Sequence, residues 1–203
     1  MIPKVAQKMD ILKLFVLLLS VIGDTSSSLH TITFKDEYLN PKSLDHKMLS
    51  GRWYWQMDSQ SGKPGFRDNN CGDILVQCDG TLINTLYSWF PEVEECRVTA
   101  AKYHPISTER DVKFLVTRMS TNETIGTHTI LYFDPHPTEG YVIVHQLTDK
   151  EAYIVNTRQR EPLSYVLDAV RTALAAFHLV PQDFRTTHRD YGCERRREQG
   201  IRL

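Results

Sequence analysis

Four cysteines and eight histidines have the widest chemical reach in this 203-residue chain, so their spacing is read first. Cys71, Cys78, Cys96 and Cys193 form no Cys-x-x-Cys pair and no Cys/His cluster at the spacing zinc ligands need. In an oxidising compartment an even count reads instead as two disulfides, with three connectivities open. His128 and His145 fall in β-forming segments, where a single histidine could ligate haem iron; most strand histidines are ordinary surface or core residues. Glu92, Glu94 and Glu95 cluster at a turn. Carboxylates beside a pocket would suit a protonated biogenic amine, and a solvated charged face is the plainer reading. No Gly-x-Ser-x-Gly elbow, phosphate loop or dinucleotide fingerprint occurs, so the common catalytic chemistries lack their motifs. The expectation is a protein that is not an enzyme, with no cofactor and no metal.

Compartment follows from the N-terminus. Lys4, Lys8 and Lys13 precede or interrupt an apolar run over residues 11–22, and Gly23 and Ser26 to Ser28 follow it. Basic, apolar and small residues in that order are the layout of a secretory signal peptide, with Met9 as a possible second start. The run is about 12 residues, short of the roughly 20 that span a bilayer as a helix. Residues 1–28 are therefore read as a signal peptide and 29–203 as one secreted, extracellular domain. No later run reaches spanning length, so no integral membrane association is expected. Of 24 basic and 25 acidic side chains, the leader holds three lysines and two aspartates, leaving a net charge of −2. That balance offers nothing to nucleic acid. Asn122-Glu123-Thr124 is an N-glycosylation sequon compatible with secretion.

The elements that must position these residues are short strands. From Gly51 to Thr157, turn signals recur about every 10 residues, the spacing of an all-β barrel or sandwich. Predicted strands cover residues 52–57, 71–78, 81–89, 93–103, 111–119, 127–133, 141–147 and 152–157. The Asp79-Gly80 pair marks a tight hairpin. Leu163, Val166, Leu167, Val170, Leu174 and Phe177 then form one apolar stripe, predicting an amphipathic helix over about 162–178 with Pro162 in its first turn. That stripe needs a surface to cover, and the outside of the wall is the one available. Eight strands with short connections suit an antiparallel up-and-down barrel, whose interior is just wide enough to fill or to hold one small ligand. The tail carries Arg185, Arg189, Arg195, Arg196, Arg197 and Arg202 and reads as a frayed, solvated segment.

This order of elements resembles the lipocalin family. Gly51-Arg52-Trp53-Tyr54 matches its Gly-x-Trp signature, and residues 152–158 resemble its last strand, which ends in an arginine. The helix and the tail from Phe184 to Cys193 resemble the C-terminal ends of apolipoprotein D-like and invertebrate pigment-carrier lipocalins. The resemblance implies that Trp53 closes the barrel base beneath Arg158, with Arg160 as substitute, while Gly51 opens the strand. It also implies a Cys71–Cys193 disulfide, with Cys96–Cys193 as the alternative and Cys78–Cys96 left uncertain. One departure stands out. The family often has Thr-Asp-Tyr between its sixth and seventh strands; here residues 134–140 lack it, and the nearest match is Thr148-Asp149-Lys150 one turn later. Either the motif is absent or the strand count slips by one.

Together these readings point to a secreted carrier of a small hydrophobic ligand such as a fatty acid, sterol, retinoid or pigment. Alternation places Trp55, Met57, Tyr87, Phe114, Val116, Tyr132 and Ile143 as candidate pocket residues; the bland alternative is that they fill a solid core. Other readings are a protein- or glycan-binding module acting through the loops and the arginine-rich tail, an amine or haem binder, and an isomerase using Cys78 as an inward-facing free thiol.

Overall fold

The computed structural model describes residues 44–59, 68–107, 112–187 and 191–200. The leader read from the sequence lies outside them. Eight strands run in order: β1 (Gly51–Asp58), β2 (Asp68–Val76), β3 (Leu82–Phe90), β4 (Glu95–Pro105), β5 (Val112–Arg118), β6 (Thr124–Phe133), β7 (Tyr141–Leu147) and β8 (Glu151–Thr157). Each is antiparallel to the next, and β1 pairs with both β8 and β2, which closes the sheet into an up-and-down barrel. Closure removes the exposed edges that an open sheet would offer for aggregation. The eight predicted strands are all present. Residues 134–140 join β6 to β7 and Thr148-Asp149-Lys150 joins β7 to β8, so the strand count stands and the Thr-Asp-Tyr motif is absent from its turn.

One end of the barrel is plugged. A single 3-10 turn, His46–Leu49, leads into β1. Trp53 is 4% exposed and donates its Nε1 to the Leu49 carbonyl at 2.8 Å. The Arg158 guanidinium lies 3.7 Å from the Trp53 ring and donates to the carbonyls of Met48, Ser50 and Arg52. Burial lowers Arg158 to about 10, which leaves it protonated at neutral pH. A side chain at Gly51 would meet Arg158 Nη1 at 3.2 Å, and its φ of +100° suits only glycine. Leu82, Val112, Phe133 and Val142 complete the plug. Arg158, not Arg160, is the capping residue.

Irregularities in the ladder decide which side chains face inward. Between Trp55 and Met57 the β1–β8 register shifts, so Gln56 is an extra residue. One extra residue reverses the alternation beyond it. Asp58 therefore turns into the barrel and Met57 turns out. A second shift, between Ile130 and Tyr132 on β6, does the same to Tyr132.

Part of the outer face is covered by the elements that follow β8. Helix α1 (Ser164–Ala176) packs on β7 and buries Val166, Val170, Ala173 and Leu174. Leu163 caps its N-terminus at 49% exposure rather than joining the stripe, and Pro162 precedes the cap. The tail is not frayed across its described part. Arg185–Thr186 forms a ninth strand, β9, on β1, and Gly192–Glu198 forms a short helix, α2. Gly192 sits against the Trp89 indole, in a space no Cβ could share. Trp89 pairs with Cys96 across the β3–β4 ladder, so the residue after Gly192 falls on Cys96. The disulfide is accordingly Cys96–Cys193, with the Cα atoms 5.2 Å apart, and not Cys71–Cys193 or Cys78–Cys96. Cys71 and Cys78 are free thiols. Cys71 is buried beside Arg52, whose Nη1 donates to its Sγ at 3.3 Å, and desolvation pushes the thiol up to about 11.

Candidate functional site

Above the plug the barrel encloses a cavity of about 540 Å³, within the range of small-molecule sites. Leu49, Trp53, Leu82, Phe114 and Val142 form its floor, and Trp55, Ile74, Leu86, Ile130, Val144 and Ile154 its apolar wall. Leu49 comes from the 3-10 turn, and each of the others from the inward parity of its strand. The charged lining residues, Asp58, Arg118, Asp149, Lys150 and Arg185, lie on strand ends and turns away from the plug. Three of these are neutralised locally: Arg185 and Asp58 pair with each other at 3.2 Å, and Arg118 pairs with Glu123 at 2.6 Å.

Nearer the floor the polar lining is uncharged. Asn84 Nδ2 donates to Tyr103 Oη at 3.4 Å, and the Tyr103 ring meets His128 edge-on with centroids 5.1 Å apart. Tyr103 also packs edge-on to Phe114 at 6.4 Å and against the plug. Gln146 is the ladder neighbour of His128, on the same inner face. Desolvation, helped by His145, lowers His128 to about 4, so its imidazole is neutral at pH 7. Desolvation likewise raises the Tyr103 phenol and keeps it protonated. Asn84 Oδ1, His128 Nε2 and Asn70 Oδ1 are buried with no hydrogen-bond partner. Such atoms are uncommon in folded proteins, and each calls for a water, an ion or a ligand.

Of the seven pocket residues expected from alternation, Trp55 and Phe114 line the cavity. Val116 shares the face of Phe114 and is 1% exposed, but lies outside the lining. Met57 and Tyr132 are turned out by the two bulges. Tyr87 faces outward because Leu86 faces in, and carries the Arg52 guanidinium 5.2 Å from its ring. Ile143 is fully buried on the outer face, between the inward Val142 and Val144. His145 also faces outward, stacked on Tyr153 and 2.8 Å from Glu151, so it is no pocket haem ligand. Glu92, Glu94 and Glu95 sit at the β3–β4 turn outside the lining, and Cys78 is exposed on the β2–β3 turn, far from the role an inward thiol would need. Among the described residues no group of three or more His, Cys, Asp or Glu side chains is placed to hold a metal ion.

Sequence reasoning missed Asn70, Asn84, Tyr103, Gln146 and Asn156, all on the cavity wall. A signal for Asn84 was present: it stands between Leu82 and Leu86 at period two, an amide flanked by apolar residues on the same face.

No family model and no curated protein matches this chain. Solved structures do. Per a 4, a major allergen from cockroaches, superposes with a TM-score of 0.55 at 14% identity, covering 71% of this chain and 87% of that one. Lobster apocrustacyanin A1 gives 0.57 at 10% identity, over 75% and 87%. The amine binding protein of Rhodnius prolixus, solved as its tryptamine complex, gives 0.51 at 14% identity, over 68% and 76%. At these identities the likeness is one of backbone alone, and with the closed eight-stranded barrel and its arginine-capped tryptophan it establishes that this chain has the lipocalin fold.

Proposed function

We propose that this chain is a secreted carrier that holds one small, mostly apolar molecule inside its barrel, and that it is not an enzyme. The observation that carries the reading is the cavity itself: about 540 Å³ over an apolar floor, open at the far end of the barrel, where a solid core would have been the alternative. An empty apolar cavity of that size costs stability through lost packing, and occupancy offsets that cost. The basic–apolar–small order of residues 1–28 and the Cys96–Cys193 disulfide both support export to an oxidising compartment. Asn122, exposed on the β5–β6 turn, is open to an N-glycan there. The related fold that holds tryptamine supports small-molecule binding as the use of the calyx.

The tail-centred alternative is weakened because its arginines have intramolecular work. Arg185 pairs with Asp58, Arg196 lies 5.0 Å from the Trp89 ring, and Glu194 of the same helix accepts from Tyr54 Oη at 2.8 Å. Arg189 and Arg202 lie outside the described residues.

The test is native mass spectrometry and an absorption spectrum of the full chain purified from its own source, followed by solvent extraction. A co-purifying apolar molecule at one per chain is the expected result. An empty protein whose tryptophan fluorescence ignores fatty acids, retinoids and amines alike would overturn the carrier reading.

A further inference from the structure

Charge and hydrogen-bonding capacity are segregated along this cavity. Every charged lining residue is on a strand end, a turn or β9, and the strand interiors contribute only neutral polar groups. Those neutral groups are incompletely used. Asn84 spends its Nδ2 on Tyr103 and leaves Oδ1 idle; Tyr103 accepts that bond and has no acceptor for its own proton; His128 Nε2 has no partner at all. The three are contiguous through the 5.1 Å ring contact between Tyr103 and His128. Apolar side chains of the plug lie directly beneath.

Resting on the carrier reading, we infer that the calyx selects an uncharged lipid-like molecule whose buried end carries a hydroxyl or carbonyl oxygen, received by the Asn84–Tyr103–His128 cluster. Both kinds of oxygen accept from the Tyr103 hydroxyl or from a His128 N–H, and a hydroxyl also donates to Asn84 Oδ1. A carboxylate at that depth would meet an amide oxygen and an imidazole that stays neutral, with no cation to compensate it. An ammonium group at that depth would find acceptors but no carboxylate, since Asp58 and Asp149 both lie at the open end and Asp58 is held by Arg185. Burying either ion without a counter-charge costs far more than the hydrogen bonds return. A bare alkyl end would leave the orphaned atoms as they are.

Three probes of one chain length separate these cases: hexadecan-1-ol, hexadecanoic acid and hexadecylamine, titrated into the full chain with Trp55 in the cavity wall as fluorescent reporter. The alcohol should bind about tenfold more tightly than the other two, the worth of one well-placed hydrogen bond. His128→Leu and Asn84→Leu should each remove that preference by weakening the alcohol alone, while His128→Gln, which keeps a hydrogen-bonding group, should retain most of it. His128→Leu replaces a buried, unpartnered polar atom, so its ligand-free protein should melt no lower than wild type, whereas Asn84→Leu also gives up the bond to Tyr103. Equal affinity for all three probes, or an alcohol preference untouched by either leucine variant, would overturn the inference and leave the carrier reading standing. A native extract dominated by a carboxylate or an amine would overturn it in the same way. Failure of every probe, with an empty extract, would bring down both.

Discussion

The plugged base and the middle of the barrel are built from similar residues and put to opposite uses. At the base Trp53 Nε1 and both terminal nitrogens of Arg158 reach backbone carbonyls, and only Arg158 Nε lacks a partner. Aromatic rings, a cation and backbone acceptors are fitted to one another there. Just above, Tyr103, Asn84 and His128 are half-buried in the wall, yet the buried atoms Asn84 Oδ1 and His128 Nε2 go unpaired next to open volume. A set of polar residues that satisfies itself serves the fold. One that remains unsatisfied beside a cavity is, on our proposal, the part that receives a molecule from outside.

The largest effect should come from attacking the self-satisfied end. Trp53→Ala removes a buried indole, a hydrogen bond and the platform under Arg158, and should cost about 3–5 kcal/mol in equilibrium denaturant unfolding. His128→Leu, by contrast, should cost nothing or stabilise the ligand-free protein, since it removes a desolvated and unpaired polar group. Equal losses at both positions would show that the mid-barrel cluster is structural and would break the contrast.

Acid sharpens the same comparison. The unfolded chain binds a proton at His128 near pH 6.5, whereas the folded protein resists until about pH 4. Between those values the unfolded state holds more protons, so stability falls as the pH falls, and the loss levels off below about pH 4. At 1.36 kcal/mol per pH unit, the full loss from this one group is up to about 3 kcal/mol. Other carboxyl groups titrate in the same window, so the measurement is a difference: unfolding free energies of wild type and His128→Phe between pH 7 and 4. The difference between the two should move in favour of the phenylalanine variant as acid is added. Parallel curves would mean that His128 is not held neutral.

What the sequence makes legible follows from which features are periodic. Strand count, the amphipathic helix and the Gly51-Arg52-Trp53 plug are all written in alternation, spacing or a short motif, and each is found where expected within a few residues. The disulfide was only narrowed, because pairing depends on where α2 lands, and that is set by a fit between Gly192 and Trp89 that no local pattern records. The cavity lining was the least legible. Alternation gives two faces but not which one is inside, and β7 is apolar on both because α1 covers its outer side: Ile143 and Val142 look alike in sequence. Bulges compound this, since an extra Gln56 in β1 exchanges Met57 for Asp58 without any glycine or proline to announce it.

That exchange supplies the subtlest test. Trp55 and Met57 stand two apart on one strand, both largely or partly buried, and simple alternation would give them the same role. The register shift puts Trp55 on the cavity wall and Met57 on the outer face beside Val155. Met57→Leu conserves volume, so it should cost less than about 1.5 kcal/mol of stability and leave affinity for a bound probe within about twofold. Trp55→Leu removes contact area from the wall itself and should weaken the same probe by about tenfold at a similar or smaller cost in stability. Calorimetric titration reads both without relying on Trp55 as a fluorophore. If Met57→Leu weakened binding as much as Trp55→Leu while the melting temperature held, Met57 would have to face the ligand. The β1 bulge would then be misplaced, and Asp58 would lose its place at the cavity mouth.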